Sequence, residues 1–396
     1  MDELCRYPSK ENLQRPMKRI VHVSTMHPSS DTRVFKNECR SLAKEGYEVI
    51  FCVPHPKEET VEGVRIVPVP KFSGFIDRIF GAPKKAVQIA ESLHGDLYHF
   101  HDPELLFVMA ALAKRGKKVI WDAHENYTDT IYQFNSLKIK PISLLGAIFF
   151  GYFELKYAKK YFKGVVTVTE RMAERYRKLN IPTAVVGNFS DTSKFKKPDF
   201  LKKNEEVKFI SSGMQLKVRG VVEIAAAFNL LKSVDKVELC YAGKVKPDDL
   251  EEEIRAELDA SKQRKVKFTG ELSWSDLINV HLPSSHVAFV LFDTSDPNNC
   301  NGLPNRFFEA WSNGLPVITT AGTQVARITE EVGGGVIIPD NSSDSIAKAM
   351  KFFIDHPGGA IEMGKKAYSA VVKKYSWKDA FNNLSDLYRK ILSKSL

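Results

Sequence analysis

Four short stretches of the chain carry the side chains best suited to chemistry. The first is Asn301-Gly302-Leu303-Pro304-Asn305-Arg306-Phe307-Phe308-Glu309. A loop of Gly and Asn runs here into a helix with Pro near its first turn. Free N–H groups and the helix dipole make such a tip a place for an anion. Glu309, about one turn in, could accept hydrogen bonds from a sugar diol, as acidic residues do for ribose. Phe307, Phe308 and Trp311 read as core, and a carboxylate beside them needs a polar partner. The second stretch is Ser211-Ser212-Gly213-Met214-Gln215-Leu216-Lys217-Val218-Arg219-Gly220. Gly213 allows close backbone approach, and Lys217 and Arg219 stand before a helix, where they can face phosphate oxygens. The pattern is neither G-x-G-x-x-G nor G-x-x-x-x-G-K-[ST].

The third comprises His99-Phe100-His101-Asp102 and Asp122-Ala123-His124-Glu125. Two clusters of His and Asp invite a metal, but H-x-H followed much later by His is not a zinc spacing, and no metal site is expected. Imidazoles that hydrogen-bond a sugar hydroxyl fit as well, with His124 read as functional and His99 as structural. The fourth runs from Ser24 to Arg33. Here His27, Asp31 and Arg33 stand open between a ligand role and an ordinary helix start capped by Asp31 or Thr32.

These stretches follow β-rich runs, and that is what gives them a common place. The first half has such runs at 19–25, 48–53, 64–69, 97–101, 119–123, 165–169 and 184–186. The second has them at 207–211, 237–241, 266–269, 287–292, 317–319 and 336–338. Several are apolar on both faces, as strands of a buried parallel sheet are. Helical patterns lie between them at 33–44, 105–114, 221–231, 248–261, 306–312 and 344–353, and Gly46 and Gly116 mark helix ends. Two rounds of strand–helix alternation predict two doubly wound α/β domains. The expected boundaries are 1–190, a Lys-, Asp-, Ser- and Pro-rich linker 191–206, a second domain 207–375, and a terminal amphipathic helix within 376–396. Ligands of doubly wound sheets bind beyond the carboxyl ends of the strands, where the four stretches fall.

The 396 residues are long enough for two cores without disulfides or metals. Cys5, Cys39, Cys52, Cys240 and Cys300 are scattered without a C-x-x-C pair, as expected of reduced thiols in a cytoplasm. The longest apolar run, 141–153, stops at Glu154, too short for a spanning helix. The first 15 residues carry no signal-peptide pattern. The net charge of +10 sits mostly in residues 1–190, which hold 29 basic against 21 acidic side chains, while 191–396 hold 29 against 27. A basic first half points to an anionic partner. Two stretches, 71–80 and 144–162, join aromatic and aliphatic residues to Lys84, Lys85, Lys156, Lys159 and Lys160, as segments that lie on anionic lipid do. A G-x-S-x-G elbow is missing, and so are nucleic-acid-reading motifs, so a serine hydrolase and a nucleic-acid binder are not expected.

At this point the chain resembles the GT-B glycosyltransferases, and among them the large retaining group classed as glycosyltransferase family four (glycosyl transferases group 1). The segments that carry the resemblance are IVHVSTMHPSSDTRVFKNECRSLAKEGYEV, HFHDPELL, KVIWDAHENY, GVVTVTERMAERY and GLPNRFFEAWSNGLPVITT. It implies two Rossmann-like domains facing across a cleft, a last helix that crosses back, and a nucleotide-diphosphate sugar, UDP- or GDP-linked, as donor substrate with no separate cofactor. Glu309 matches the acid on the nucleotide ribose. Asn301, Gly302, Leu303 and Pro304 match the loop whose backbone meets the diphosphate and sugar, and Asn305 and Arg306 are expected to bind beside it. Arg219, with Gly213 and Lys217, matches the diphosphate grip, and His124 the histidine near the donor sugar. His27, Asp31, Arg33, His101 and Asp102 fall on the acceptor side, where a glycan or lipid-linked acceptor is expected at the cytoplasmic face of a membrane. The sequence departs from the common pattern at Asn301, where many members carry Glu, and at Met214, where many carry Arg. Two rival readings are a non-catalytic sugar-nucleotide-binding partner subunit, which those departures favour, and a nucleotide-sugar 2-epimerase.

Overall fold

The computed structural model describes residues 17–74, 76–128, 131, 140–200, 206–232, 234–295 and 297–393. The polar first 15 residues with Cys5, Phe75, residues 201–205 of the expected linker and residues 394–396 lie outside the described residues.

The chain forms two sheets in succession. The first contains β1 (Arg19–Val23), β2 (Glu48–Pro54), β3 (Glu59–Val61), β4 (Val64–Val69), β5 (Leu97–Phe100), β6 (Val119–Ala123), β7 (Gly164–Thr167) and β8 (Thr183–Val185). Its order is β3-β4-β2-β1-β5-β6-β7-β8, parallel except for the short edge strand β3 against β4. The second contains β9 (Val207–Ser212), β10 (Val237–Ala242), β11 (Val266–Phe268), β12 (Val287–Val290), β13 (Val317–Thr320) and β14 (Gly335–Ile338) in the parallel order β11-β10-β9-β12-β13-β14. Ile20, Val21 and Val23 in β1, and the whole of β5, β6, β7 and β12, are buried, because helices cover both faces of each sheet.

On one face of the first sheet, Tyr98, Phe100 and Trp121 pack with Met109 and Leu112 of the helix Leu106–Lys114. On the other, Ile20, Phe51 and Val166 meet Leu384, Leu387 and Tyr388 of the last helix, Trp377–Ser393. That helix follows the whole second half yet packs on the first sheet. Its Trp377 Nε1 donates to Ser41 Oγ at 2.9 Å and its Asn383 Nδ2 to the Val185 carbonyl at 3.0 Å.

Both sheets reverse direction of growth once. After β4 the chain returns to lay β5 on the free side of β1, and after β11 it returns to lay β12 on the free side of β9. Crevices open where neighbouring crossovers diverge, at the carboxyl ends of β1 and β5 and of β9 and β12. Several elements differ from the sequence expectation. The segment 248–261 is two helices, Leu250–Ala256 and Ala260–Gln263, parted where the Asp259 N–H donates to Asn229 Oδ1 at 3.0 Å. The helices Ala82–Ser92, Glu170–Arg177, Gln324–Val332 and Pro357–Lys373 and the strand β3 were not anticipated.

Candidate functional site

In the second lobe, β9 ends at Ser211-Ser212 and the chain turns on Gly213, whose φ of +88° is open to glycine at no steric cost. A Cβ on Gly213 would stand 3.3 Å from Arg219 Nη1, and one on Gly243, at the end of β10, would stand 2.0 Å from the Gly213 carbonyl oxygen. The turn is stapled from below by the buried Gln215 amide, which donates to the Ser211 and Gly213 carbonyls at 3.0 and 2.7 Å. Arg219 reaches back to give its Nη1 hydrogen to the Met214 carbonyl at 2.7 Å. Beside it lies Arg306 from the first turn of the helix Asn305–Ser312, buried, with Nη2 on the Leu291 carbonyl at 2.7 Å and the cation over the Phe292 ring. Arg306 Nε has no partner. Among the described residues neither guanidinium forms an ion pair with a carboxylate. Burial lowers the pKa of Arg219, and burial with the Arg219 charge lowers that of Arg306, so an anion placed there would relieve both.

Glu309, one turn further, is buried and accepts from Trp274 Nε1 at 2.8 Å. Burial raises its pKa, against the Trp274 hydrogen bond and the Lys36 charge. Trp274 is itself held in the first turn after Ser273 and lies under the Lys36 ammonium, 5.0 Å from the ring centre. The Ser273-Trp274-Ser275-Asp276 capping pattern after β11 was the available sequence signal for this residue.

Two cavities meet at the arginines. One, of about 620 Å³, is lined by His124, Asn126, Arg171 and Arg175 from the first lobe and by Arg219 and residues 301–304 from the second. The other, of about 640 Å³, holds Gly213, Gly243, Trp274, Asn305 and Glu309 on its walls. Asn188, Arg219, Pro304 and Arg306 line both. The lobes are joined across the cleft by Arg171 Nη1 on Asn301 Oδ1 at 2.7 Å and by Asn188 Nδ2 on the Leu303 carbonyl at 3.0 Å. Lys217, expected on the phosphates, lines neither cavity: it is exposed and pairs with Glu253. Its neighbour on the facing helix offers a carboxylate nearer than the cleft does.

The first lobe presents its strand ends opposite. His124 lines the first cavity and sets its Nε2 3.0 Å from Asp122 Oδ2. Asp122 is fully buried and takes both oxygens to Arg33 Nη2, at 2.9 and 3.2 Å. The acceptor-side expectation is corrected at three positions. Arg33 is a buried partner of Asp122, Glu38 and Asn188. His101 is buried between His22 Nδ1, at 2.9 Å, and Asp122, at 3.2 Å. Asp102 is buried and accepts from the Thr25 and Met26 amides at 2.6 and 3.3 Å. Charges at strand ends beneath a covering loop lose their water, and they are held there by each other and by backbone amides. His27 and Asp31 remain partly exposed and bond to each other at 3.1 Å. Asp31 also caps the next turn, accepting from the Arg33 and Val34 amides at 2.9 and 2.8 Å. His22, Glu38, His99 and His101, and again His101, Asp122 and His124, lie close enough to chelate a cation. The Arg33 guanidinium already supplies the positive charge between Glu38 and Asp122, and the imidazoles bond to one another, to Tyr388 and to Asp122.

Residues 159–370 match the family model of the glycosyl transferases group 1, and residues 32–194 match that of Glycosyltransferase Family 4. The first match spans more than half of the chain, and the protein belongs to the glycosyl transferases group 1; it is a glycosyltransferase that uses a nucleotide sugar. Solved structures share the fold, two Rossmann-like domains in the GT-B arrangement. Sucrose-phosphate synthase from Thermosynechococcus elongatus superposes with a TM-score of 0.75 at 15% identity, over 96% of this chain and 100% of that one. A glycosyltransferase from Rickettsia africae does so with 0.70 at 16% identity, over 96% and 100%. HepE of Anabaena, in complex with UDP and glucose, does so with 0.70 at 11% identity, over 94% and 100%. No curated protein matches the chain in sequence.

Proposed function

We propose that the protein transfers a sugar from a nucleoside diphosphate, UDP or GDP, to a glycan or lipid-linked acceptor, with retention of configuration. The observation that carries the donor site is the pair Arg219 and Arg306, two sheltered cations without a carboxylate partner among the described residues, where the two cavities meet. In this reading the diphosphate lies between them and the amides of Gly302 to Asn305, Glu309 takes the ribose in the second cavity, and the sugar lies in the first, against His124. HepE with UDP bound in the same fold supports UDP as the donor nucleotide. As the glycosidic bond breaks, charge grows on the leaving diphosphate. Guanidinium groups already fixed at that place stabilise it without reorganising, so the role falls to side chains rather than to a metal ion. The acceptor approaches from the first lobe, beside His27 and Asp31, and its hydroxyl proton passes to the leaving phosphate on the same face.

The test is binding and turnover over a panel of UDP, GDP, ADP and CMP sugars. One nucleoside diphosphate is expected to bind by calorimetry and to be released during turnover with extract acceptors. Arg219→Ala and Glu309→Ala should each weaken its binding by about 10- to 100-fold, the range for a lost hydrogen bond to a charged group. Binding unchanged in both variants would overturn the site.

The same reading places the protein at the cytoplasmic face of a membrane. Ile76, Phe80, Phe107, Leu145 and Phe149 are exposed on the first lobe, with Lys84, Lys85 and Lys156 also at its surface. Among the described residues no helix is long and apolar enough to cross a bilayer, so contact would be peripheral. The protein should sediment with vesicles containing phosphatidylglycerol and stay in the supernatant with pure phosphatidylcholine at low salt. Equal partition between the two would refute an electrostatic contact.

A further inference from the structure

Lys36 belongs to the first lobe, yet its side chain reaches across the cleft to Trp274, on the wall of the second cavity, without lining that cavity itself. It is carried on the helical segment Val34–Cys39, in which Val34, Phe35, Asn37, Glu38 and Cys39 are buried, so the backbone beneath it is held in place. Its ammonium stands 5.0 Å from the centre of the Trp274 ring. Lys194 lies over the same ring at 6.0 Å and donates to the Lys36 carbonyl at 3.2 Å, while Phe195 meets the indole at right angles, 5.9 Å between ring centres. Lys194 has a carboxylate of its own, Asp191 at 3.6 Å. Among the described residues Lys36 has none within ion-pair reach.

The other end of the indole holds the acid of the second cavity: Trp274 Nε1 donates to Glu309 Oε1 at 2.8 Å. Glu309 Oε2 has no hydrogen-bond partner among the described residues, on a side chain that lines that cavity. A ribose diol offers two O–H donors and needs a carboxylate that only accepts, whereas a protonated acid would present a donor of its own. Burial favours the protonated form of Glu309, and the Trp274 hydrogen bond and the Lys36 charge oppose it. For Lys36, in turn, Glu309 is the carboxylate that acts on it most strongly. The indole is the partner they share. An ammonium over its face pins the ring, and a pinned ring keeps its N–H on Oε1.

We propose that Lys36 is a positioning residue of the nucleoside subsite, seated on the opposite lobe: through the Trp274 indole it holds the Glu309 carboxylate as an acceptor aimed at the ribose hydroxyls. The inference rests on the donor reading above and deepens it. Lys36 touches no substrate, and the ribose grip becomes a joint product of both lobes.

Calorimetry on the full chain with UDP, or with GDP where that is the nucleotide bound, tests this. Lys36→Met keeps the length of the side chain and removes its charge. It should weaken binding at least about fivefold, within the range of about 2- to 30-fold that cation–π contacts span. Lys36→Arg keeps a cation over the ring and should stay within about twofold of wild type. Trp274→Phe keeps a ring but not the N–H, and should weaken binding about tenfold. The deciding measurement is the double variant. With Glu309→Gln in place there is no charge to hold, and adding Lys36→Met should weaken binding by less than about twofold more. Unchanged binding in Lys36→Met would overturn the proposal. So would Lys36→Arg as weak as Lys36→Met, or an equal Lys36→Met loss in both backgrounds, which would mean that the charge acts on the nucleotide directly. If Trp274→Phe does not fold, the lysine variants decide alone. If wild-type protein binds neither nucleotide, the donor reading fails and the inference with it. If wild type binds and Glu309→Gln weakens that binding while Lys36→Met does not, the inference fails alone.

Discussion

A single charged side chain among the site residues shows how local position and actual role part company. Lys217 and Arg219 are two residues apart at the start of the same turn, and the spacing offers both to a phosphate. The turn sends Lys217 outward to Glu253 and folds Arg219 back over Gly213, into the cleft. Lys217→Ala is therefore expected to leave nucleoside diphosphate affinity within about twofold, because an exposed ion pair contributes only about 0–1 kcal/mol wherever it stands. A tenfold loss by calorimetry would put Lys217 back on the phosphates. Glu309 was legible as a carboxylate among aromatic residues that needs a partner. That Trp274 donates to it, from 35 positions away, was not. Gly243 escaped notice for the same reason. Its lack of a side chain matters only because the Gly213 carbonyl lies where a Cβ would be.

At the scale of elements, the apolar runs identified the parallel strands because a strand covered on both faces has nowhere to place a polar residue. The helix Glu170–Arg177 was missed because it is mostly charged and buries only Ala173 and Tyr176. Its Thr169 cap, which accepts from the Met172 amide at 3.3 Å, was the one local signal. β3 is a three-residue edge strand with a half-buried face, too short for any alternation to show. The last helix is the element most open to test. Leu384 is fully buried against the first sheet, although it follows the entire second half in sequence. Leu384→Ala should destabilise the first lobe by about 2–5 kcal/mol, as truncating a buried Leu does. Urea unfolding read by Trp fluorescence would measure it. A change below about 0.5 kcal/mol, typical of a surface site, would mean the helix does not pack there.

Across the whole molecule, the buried imidazoles couple stability to pH. Burial lowers His101 to about 4 and pushes His22 and His99 down as well, whereas an imidazole in an exposed chain titrates near 6.5. The unfolded chain then takes up protons first as the pH falls. The contribution is whole above pH 6.5 and is lost between 6.5 and about 4, at about 1.4 kcal/mol per pH unit for each titrating group. His27 opposes this: burial lowers it, but Asp31 and Asp102 raise it on balance, so its share favours the folded chain at low pH. Three imidazoles against one predict a fall in the urea midpoint from pH 7 to pH 5. A midpoint that holds or rises over that interval would show that the cluster is protonated or hydrated in the folded state.

The sequence by itself determined the two doubly wound halves and the strand ends that carry the chemistry, together with Glu309, Arg219, Arg306 and His124 as residues at those ends. Those features follow from side-chain polarity and from spacing along the chain, which are local. Tertiary structure decided which of the candidates line the cleft and which are buried in the frame. It buried Arg33, His101 and Asp102 beneath the first cleft wall, turned Lys217 away, and brought Trp274, Asn188 and Asp122 to the site. A side chain's role depends on which groups replace its water, and in a parallel α/β fold those groups come from strands and helices tens to hundreds of residues away.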